Sequence, residues 1–195
     1  MLIEFLKNTF KNVRGKPRTD ALHDAILAEL WNKYPTYKDN YAWRFEENLH
    51  DAYNGKFKVD IVGYDKDLNP KIAILCKCAN SNIGKNKYNY ANCTIGEAAR
   101  LTVGTNHNFE KVLFVNVLPT KAPIFETGGT VSGYDKPIEF KKRVDVSPIL
   151  FKFFGNLVEE VNMFYDIEHI ETKTNKKDFT EIVPLNLSEF KMKYE

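Results

Sequence analysis

The chain has 195 residues, of which 43% are hydrophobic and 28% charged, a composition typical of a folded globular protein. Its 28 basic and 26 acidic residues give a formal charge of +2, which by itself does not indicate a nucleic-acid-binding protein. No segment reaches the roughly 18 consecutive apolar residues that span a membrane, and Glu4 and Lys7 make the N-terminus unlike a signal peptide. We therefore expect a cytoplasmic protein with a single domain over residues 1–195. Three cysteines, an odd number, favour reduced thiols over a disulfide framework.

The first quarter of the chain has helical spacing of its apolar residues. This spacing predicts one helix over 2–13 and a second that Thr19 or Asp20 caps and that ends at Lys33. A basic loop over 14–18 separates them, either as a phosphate contact or as a solvated linker. Its basic residues are Arg14, Lys16 and Arg18.

A hairpin over 57–82 follows a strand predicted for 41–49. Two apolar runs flank turn-forming residues from Asp65 to Pro70, which predicts two antiparallel strands. Asp60 lies early on the first strand and Lys77 late on the second. Charged groups inside apolar strands are costly unless they are paired or used, so these two residues are the first candidates for a functional site.

The segment after the hairpin contains interleaved Asn, Lys and Tyr residues. This composition predicts a loop over 80–90 that can contact nucleic acid, although an ordinary mobile loop has the same composition. The residues proposed for this contact are Asn82, Lys85, Lys87 and Tyr88. A helix then follows over 94–103, in which Thr94 and Glu97 match a capping box. The apolar run over 111–118 predicts a buried central strand that is parallel to a neighbour.

The C-terminal third gives weaker signals. Glycines predict a long loop over 120–137, and a basic strand is expected over 138–144. Ser147 and Pro148 are suited to begin a helix, which we expect to continue to about residue 162. Strands are predicted over 163–172 and 179–187, and the polar tail is expected to fray.

The order of helix, strand, hairpin, helix and buried strand resembles the PD-(D/E)xK nuclease superfamily over about residues 19–119. Asp60, in Val59-Asp60-Ile61-Val62, and Lys77, at the end of Ile72-Ala73-Ile74-Leu75-Cys76-Lys77, carry the resemblance. It implies a restriction-endonuclease-like α/β fold with a central mixed sheet of about five strands flanked by helices. Residues 120–195 would then extend the same domain as a recognition or dimerisation region.

The same resemblance implies a Mg²⁺-dependent DNA endonuclease, for example one of the restriction type, and a homodimer. Asp60 would bind the metal, and Lys77 would orient the attacking water. The family has an acidic residue two positions before the lysine, where this chain has Leu75. Glu97 or Glu47 can supply the missing carboxylate, and Glu46 or Glu29 can do so if the strand register differs.

Two other interpretations stay open. In the first, the site is inactive, and the protein keeps the nuclease fold but binds nucleic acid or serves as an assembly subunit. Asp60 and Lys77 would then form a partly buried ion pair. A zinc site is the other metal hypothesis, for which the candidate ligands are Cys76, Cys78, Cys93 and His107.

Overall fold

The strands in the described part of the chain form a mixed six-stranded sheet and a separate two-stranded sheet. The computed structural model describes residues 1–11, 16–80, 83–125, 131–139, 144–174 and 177–194. The helices are α1 (Leu2–Lys11), α2 (Lys16–Lys33), α3 (Pro35–Asn40), α4 (Ile83–Thr102) and α5 (Ser147–Phe154). The strands are β1 (Ala42–His50), β2 (Lys56–Tyr64), β3 (Pro70–Cys78), β4 (Lys111–Pro119), β5 (Ala122–Phe125), β6 (Val131–Asp135), β7 (Val158–Thr174) and β8 (Lys177–Leu185). The predicted α/β class is confirmed, with six strands in the main sheet instead of about five.

The main sheet has the strand order β1-β2-β3-β4-β7-β8. The first three strands are antiparallel neighbours, β3, β4 and β7 run parallel, and β8 returns antiparallel to β7. Helix α4 connects β3 to β4, because a parallel pair requires a crossover. The order of elements predicted for about residues 19–119 is therefore the observed order, with the short α3 added before β1.

Helices cover both faces of this sheet, and a large hydrophobic core lies on each face. Residues of α1 and α2 pack on one face, which we call the α2 face, and residues of α4 and α5 pack on the opposite face, which we call the α4 face. On β3, Ile72 and Ile74 belong to the core of the α2 face, whereas Ala73 and Leu75 belong to that of the α4 face. A strand buried on both sides requires such a continuous apolar run, which explains why the hairpin was visible in the sequence.

Helix α2 begins earlier than predicted. Lys16 starts the helix, so Thr19 and Asp20 lie inside it and do not cap it, and Lys16 and Arg18 are not loop residues. Pro17 is compatible with this start because N–H groups in the first helical turn have no acceptor within the helix, so the N–H that proline lacks is not needed there. The predicted apolar stripe of α2 is buried at Leu22, Ile26, Leu27 and Leu30.

Helix α4 replaces the loop that was predicted over 80–90. It is continuous from Ile83, and its buried positions recur at helical spacing beneath the polar composition: Ile83, Ala91, Thr94, Ala98 and Leu101. Thr94 is therefore in the helix interior, where its hydroxyl donates to the carbonyl of Tyr90 at 2.9 Å. The capping box with Glu97 was a wrong prediction.

The C-terminal third departs most from the prediction. Residues 122–125 and 131–135 pair as β5 and β6 within the expected loop. No strand occurs at the described residues 138, 139 and 144, and residues 140–143 of that predicted strand lie outside the described ranges. Helix α5 ends at Phe154 because Gly155 leaves the helical conformation with φ 58°, and Val158 already begins β7.

The tail is packed, which corrects the expectation that it frays. Phe190 and Met192 are buried in the core of the α2 face. The backbone N–H of Met192 donates to the hydroxyl of Tyr34 at 3.0 Å, and Lys111 donates to the carbonyl of Tyr194 at 2.6 Å. Among the described helices, none is both long enough and apolar enough to cross a membrane.

Candidate functional site

Asp60 lies on β2 where the pairing between β2 and β3 ends. The two strands are paired as far as Ile61 opposite Ile74. Beyond that pair, Oδ2 of Asp60 accepts a hydrogen bond from the backbone N–H of Cys76 at 2.7 Å. The carboxylate therefore substitutes for a backbone acceptor and is held in a defined orientation between the strands.

His23 of α2 approaches the same carboxylate from the α2 face. The residue is 1% exposed, and its Nε2 lies 3.7 Å from Oδ1 of Asp60. Its other ring nitrogen, Nδ1, lies 3.6 Å from Oε1 of Glu46. Burial lowers the pKa of His23, although the Asp60 charge acts in the opposite direction. The imidazole is therefore neutral at pH 7, the state in which a ring nitrogen can bind a metal.

Cys76 completes this group of side chains. One potential ligand atom from each of His23, Asp60 and Cys76 lies within 4.8 Å of the others. Burial raises the pKa of the Cys76 thiol well above its usual range, and the Asp60 charge contributes in the same direction. In the protein alone the sulfur is therefore a protonated thiol.

Glu46, which contacts His23, lies at a local distortion of the β1 backbone. Its φ of 58° is in the left-handed region, which is uncommon for a residue with a side chain. Phe45 and Glu47 on either side keep their pairing with β2. The Glu46 carboxylate lies between His23 and the ammonium group of Lys58. Such local strain is more frequent at functional sites than elsewhere.

Lys77 lies on the α4 face, because consecutive residues of a strand alternate between faces and Cys76 contacts the α2 face. Its Nζ lies 3.2 Å from Oε2 of Glu97 on α4 and 5.9 Å from the ring centre of Phe114. The two side chains are 24% and 25% exposed, so the ion pair is accessible to solvent.

A polar row continues from Lys77 across the parallel strands. Lys77 is in register with Asn116 of β4, which is in register with Asn162 of β7. The amide of Asn116 donates to Oδ1 of Asn162 at 3.0 Å and to Oε1 of Glu160 at 2.9 Å. Oε2 of Glu160 accepts a hydrogen bond from Ser147 at 3.4 Å. Three neighbouring strands thus present polar side chains on a face that is otherwise apolar.

This row forms the floor of a small cleft that is partly open to solvent. Lys87 and Tyr90 of α4 form one wall, and the apolar residues Leu118 and Val146 lie at the other side. Burial raises the pKa of Tyr90. A cleft with apolar walls and a few convergent polar groups is the usual form of a ligand site.

The metal ligands predicted from the sequence are not brought together. Lys77 contacts Glu97 on the α4 face, whereas Asp60 is held by groups of the α2 face. Glu47 accepts a hydrogen bond from the hydroxyl of Tyr64 at 3.0 Å. Burial is the larger cause, and this hydrogen bond the second, of a pKa of Tyr64 that is raised to about 12. Glu29 lies on α2. In the described residues, the only group of three or more metal-binding side chains is that of His23, Asp60 and Cys76.

A Mg²⁺ ion bound jointly by Asp60, Glu97 and Glu47 does not fit this arrangement. Mg²⁺ requires oxygen ligands in near-octahedral geometry. The group that does assemble offers one oxygen with one nitrogen and one sulfur, a donor set that Mg²⁺ does not favour.

The residues proposed to contact nucleic acid fall into three groups. Lys85, Lys87 and Tyr88 lie in the first turns of α4, where Tyr88 is 68% exposed and the Lys87 ammonium lies 5.1 Å from its ring centre. Lys16 and Arg18 are in the first turn of α2, with side chains outside the described part of the chain. Arg14 and Asn82 lie outside the described residues altogether.

The zinc site with three cysteines and a histidine is wrong for the described arrangement. Cys78 donates to Asn80 at 3.3 Å, and Cys93 contacts Asn89. The ring of His107 hydrogen-bonds with the carbonyl of His50 at 2.8 Å. Of the four candidates, only Cys76 belongs to a metal-binding group.

Sequence reasoning did not identify His23, Asn116, Glu160 or Asn162 as site residues. A signal existed for two of them. His23 is spaced three and seven residues from Ile26 and Leu30 of the buried stripe, and Asn116 interrupts the most apolar strand of the chain. Glu160 and Asn162 could not be placed, because their segment was predicted as helix.

Comparison with known proteins leaves the family open: no family model matches the chain, and neither does any curated protein or solved structure.

Proposed function

We propose that the protein is a DNA endonuclease that hydrolyses phosphodiester bonds in the cleft beside Lys77. The observation that carries this proposal is the ion pair of Lys77 with Glu97, 3.2 Å apart, at the end of β3. A lysine at this position and a carboxylate from the following helix are what the nuclease resemblance implies. The element order from α2 to β4 supports the same restriction-endonuclease-like core.

The chemistry divides between the two members of the pair. The Glu97 carboxylate accepts a proton from a water molecule whose oxygen forms the new bond to phosphorus. The bond between phosphorus and one ester oxygen breaks, and that oxygen takes a proton from solvent. The Lys77 ammonium stabilises the negative charge that develops on the phosphoryl oxygens. Together these events consume one water and produce a phosphomonoester and an alcohol.

The polar row and α4 would hold the substrate. The Asn162 side chain carries amide N–H groups that can donate to phosphate oxygens, while Asn116 donates to its Oδ1 and orients it. Lys85 and Lys87 supply positive charge near the cleft, and the exposed ring of Tyr88 can stack on a base. A two-fold homodimer would match the two strands of a duplex, and light scattering with and without DNA tests this part of the proposal.

A cleavage assay tests the function directly. Supercoiled and linear DNA would be incubated with the protein in Mg²⁺, in Mn²⁺ and in EDTA, beside Lys77→Met and Glu97→Gln. We expect cleavage that falls at least about 100-fold in either variant, since general-base and charge-stabilising groups contribute that much. Lys33→Met is the matched control, because Lys33 forms an exposed ion pair with Glu189 at 2.6 Å. Absence of cleavage by the wild type, or equal rates in Lys77→Met and Lys33→Met, would sink the nuclease proposal.

The second candidate is a nuclease-fold protein that binds nucleic acid without cutting it, alone or as an assembly subunit. Leu75 favours it, because this buried apolar residue stands where the resemblance implies an acid. The separation of Asp60 from Glu97 favours it too. DNA binding in EDTA, measured by fluorescence anisotropy, together with no cleavage in Mg²⁺ or Mn²⁺ would select this candidate.

A further inference from the structure

We propose that His23, Asp60 and Cys76 bind a transition-metal ion of the zinc class on the α2 face, and that Glu46 positions His23 for it. The three side chains come from α2, β2 and β3, and one ligand atom of each lies within 4.8 Å of the others. A nitrogen, an oxygen and a sulfur in one group are the ligands of Zn²⁺ and Co²⁺.

The buried nitrogen of His23 is the first argument. Nδ1 is buried without a hydrogen-bond partner in the described structure, and unpaired buried polar atoms are rare in proteins. The carboxylate of Glu46 is the nearest acceptor, at 3.6 Å. A proton on Nδ1 directed at Glu46 leaves the lone pair on Nε2, the nitrogen that faces Asp60. A carboxylate behind a metal-binding histidine is the usual means of fixing its tautomer and orientation.

Asp60 is already oriented for the same role. Its Oδ2 is occupied by the N–H of Cys76 at 2.7 Å, whereas Oδ1 lies on the His23 side. One oxygen therefore anchors the carboxylate to the neighbouring strand, and the other is placed to bind an ion.

Charge balance explains how a half-buried thiol can take part. On binding, Cys76 loses one proton to solvent as the sulfur–metal bond forms, while Asp60 contributes its existing negative charge. The two negative charges then neutralise a divalent ion, and the neutral imidazole adds no charge. The site is electrically neutral when filled, which suits its partial burial.

The ligand count leaves room for a further ligand. Three protein ligands on a tetrahedral ion leave a fourth position for water, and the Asp60 side chain is 27% exposed. The site lies on the opposite side of the sheet from Lys77 and Glu97, so it does not depend on the proposed nuclease activity.

Titration of the purified, metal-free protein with Co²⁺ tests the proposal. A sulfur-to-cobalt charge-transfer absorption would rise to one equivalent, with release of about one proton per ion at neutral pH. Zn²⁺ would displace Co²⁺, and an excess of Mg²⁺ would not. Cys76→Ser would remove the charge-transfer band, whereas the matched variant Cys93→Ser, which alters a half-buried thiol of α4, would keep it.

Further variants test the other residues of the proposed metal site. His23→Gln and Asp60→Asn would each weaken Co²⁺ binding, with circular dichroism used to verify that the variants are folded. Glu46→Gln would weaken it roughly 10- to 100-fold, the usual effect of removing a partner of a metal-binding histidine. Glu97→Gln would bind Co²⁺ like the wild type even if it abolishes cleavage. A charge-transfer band that survives in Cys76→Ser, displacement by Mg²⁺, or no Co²⁺ binding by the folded wild type would each overturn the site.

Discussion

The Asp60 carboxylate accepts a hydrogen bond from the backbone N–H of Cys76 at 2.7 Å, at the position where β2 and β3 cease to pair. A side chain thus completes the ladder between two buried strands. The contact also fixes Asp60 on the His23 side of the sheet, away from Lys77. The hairpin predicted from the sequence therefore has its two charged residues in two different environments.

Removal of this acceptor should destabilise the fold even without any metal. We expect Asp60→Ala to lower the free energy of unfolding by about 1–3 kcal/mol, because the N–H of Cys76 loses its partner in a half-buried location. Asp60→Asn keeps an oxygen acceptor and should lose less. Urea unfolding in EDTA measures both variants. Equal losses for the two would show that charge, and not the hydrogen bond, is what matters.

Asp51 should make stability depend on pH in the acidic range. Its carboxylate accepts hydrogen bonds from Arg100 and from the backbone N–H groups of Gly55 and Tyr53. These contacts, that of Arg100 first, lower the pKa of Asp51 below its ordinary value of 3.8. The stabilisation of the folded state by the Asp51 carboxylate is therefore complete above pH 3.8, the ordinary pKa. It is lost as the pH falls through the lower pKa of Asp51 in the folded state.

The measurement is urea unfolding of the wild type and Asp51→Asn over a series of acidic pH values. The difference in stability between them should shrink as the pH falls below 3.8, the ordinary pKa. Asp39→Asn is the matched control, since Asp39 is exposed on α3. A difference that stays constant with pH would contradict the assignment.

The sequence predicted the elements whose pattern reflects burial alone. The hairpin strands and β4 are buried on both faces, so each reads as a mainly apolar run with one or two polar positions. Helix α4 has only a narrow buried stripe from Ile83 to Leu101, and polar residues between those positions concealed it. The resemblance suggested Glu97 as a substitute carboxylate but not its ion pair with Lys77. The direction taken by Asp60 depends on a hydrogen bond that no sequence pattern encodes.

Two glycines of α4 should respond oppositely to the same substitution. A Cβ at Gly84 would meet Oδ1 of Asp135 at 2.8 Å, whereas a Cβ at Gly96 meets nothing within 4 Å. Asp135 is buried and its Oδ2 accepts the N–H of Gly84 at 2.8 Å. Gly96→Ala should therefore stabilise the protein by about 0.5–1 kcal/mol through helix propensity.

Gly84→Ala should instead destabilise it, because Asp135 must shift and its hydrogen bond to the start of α4 is lost, at a cost of about 1–3 kcal/mol. Thermal unfolding of both variants at the same pH measures the two changes in stability. Stabilisation by both substitutions would show that Asp135 does not hold the first turn of α4.

The first turns of α4 should determine the salt dependence of DNA binding. For each phosphate of duplex DNA that a protein neutralises, a tenfold rise in salt concentration lowers the logarithm of the affinity by about 0.9. Replacement of Lys85 and Lys87 by Ala should thus reduce the slope of log affinity against log salt by up to about 1.8. Lys33 and Lys38 lie on α2 and α3, and their double Ala variant should leave the slope unchanged. Equal slopes in both double variants would exclude this part of α4 as a phosphate contact.

The C-terminal tail should contribute strongly to stability. Phe190 is 1% exposed, and its ring packs edge-on against Tyr34 with 6.3 Å between the ring centres. Removal of a buried phenyl ring costs about 3–5 kcal/mol, so Phe190→Ala should lower the free energy of unfolding by that amount. Phe153→Ala is the matched control, because Phe153 is 70% exposed and its loss should change stability by no more than about 0.5 kcal/mol. Guanidinium unfolding compares the two variants, and similar small changes in both would mean that the tail frays in solution, as its polar sequence first indicated.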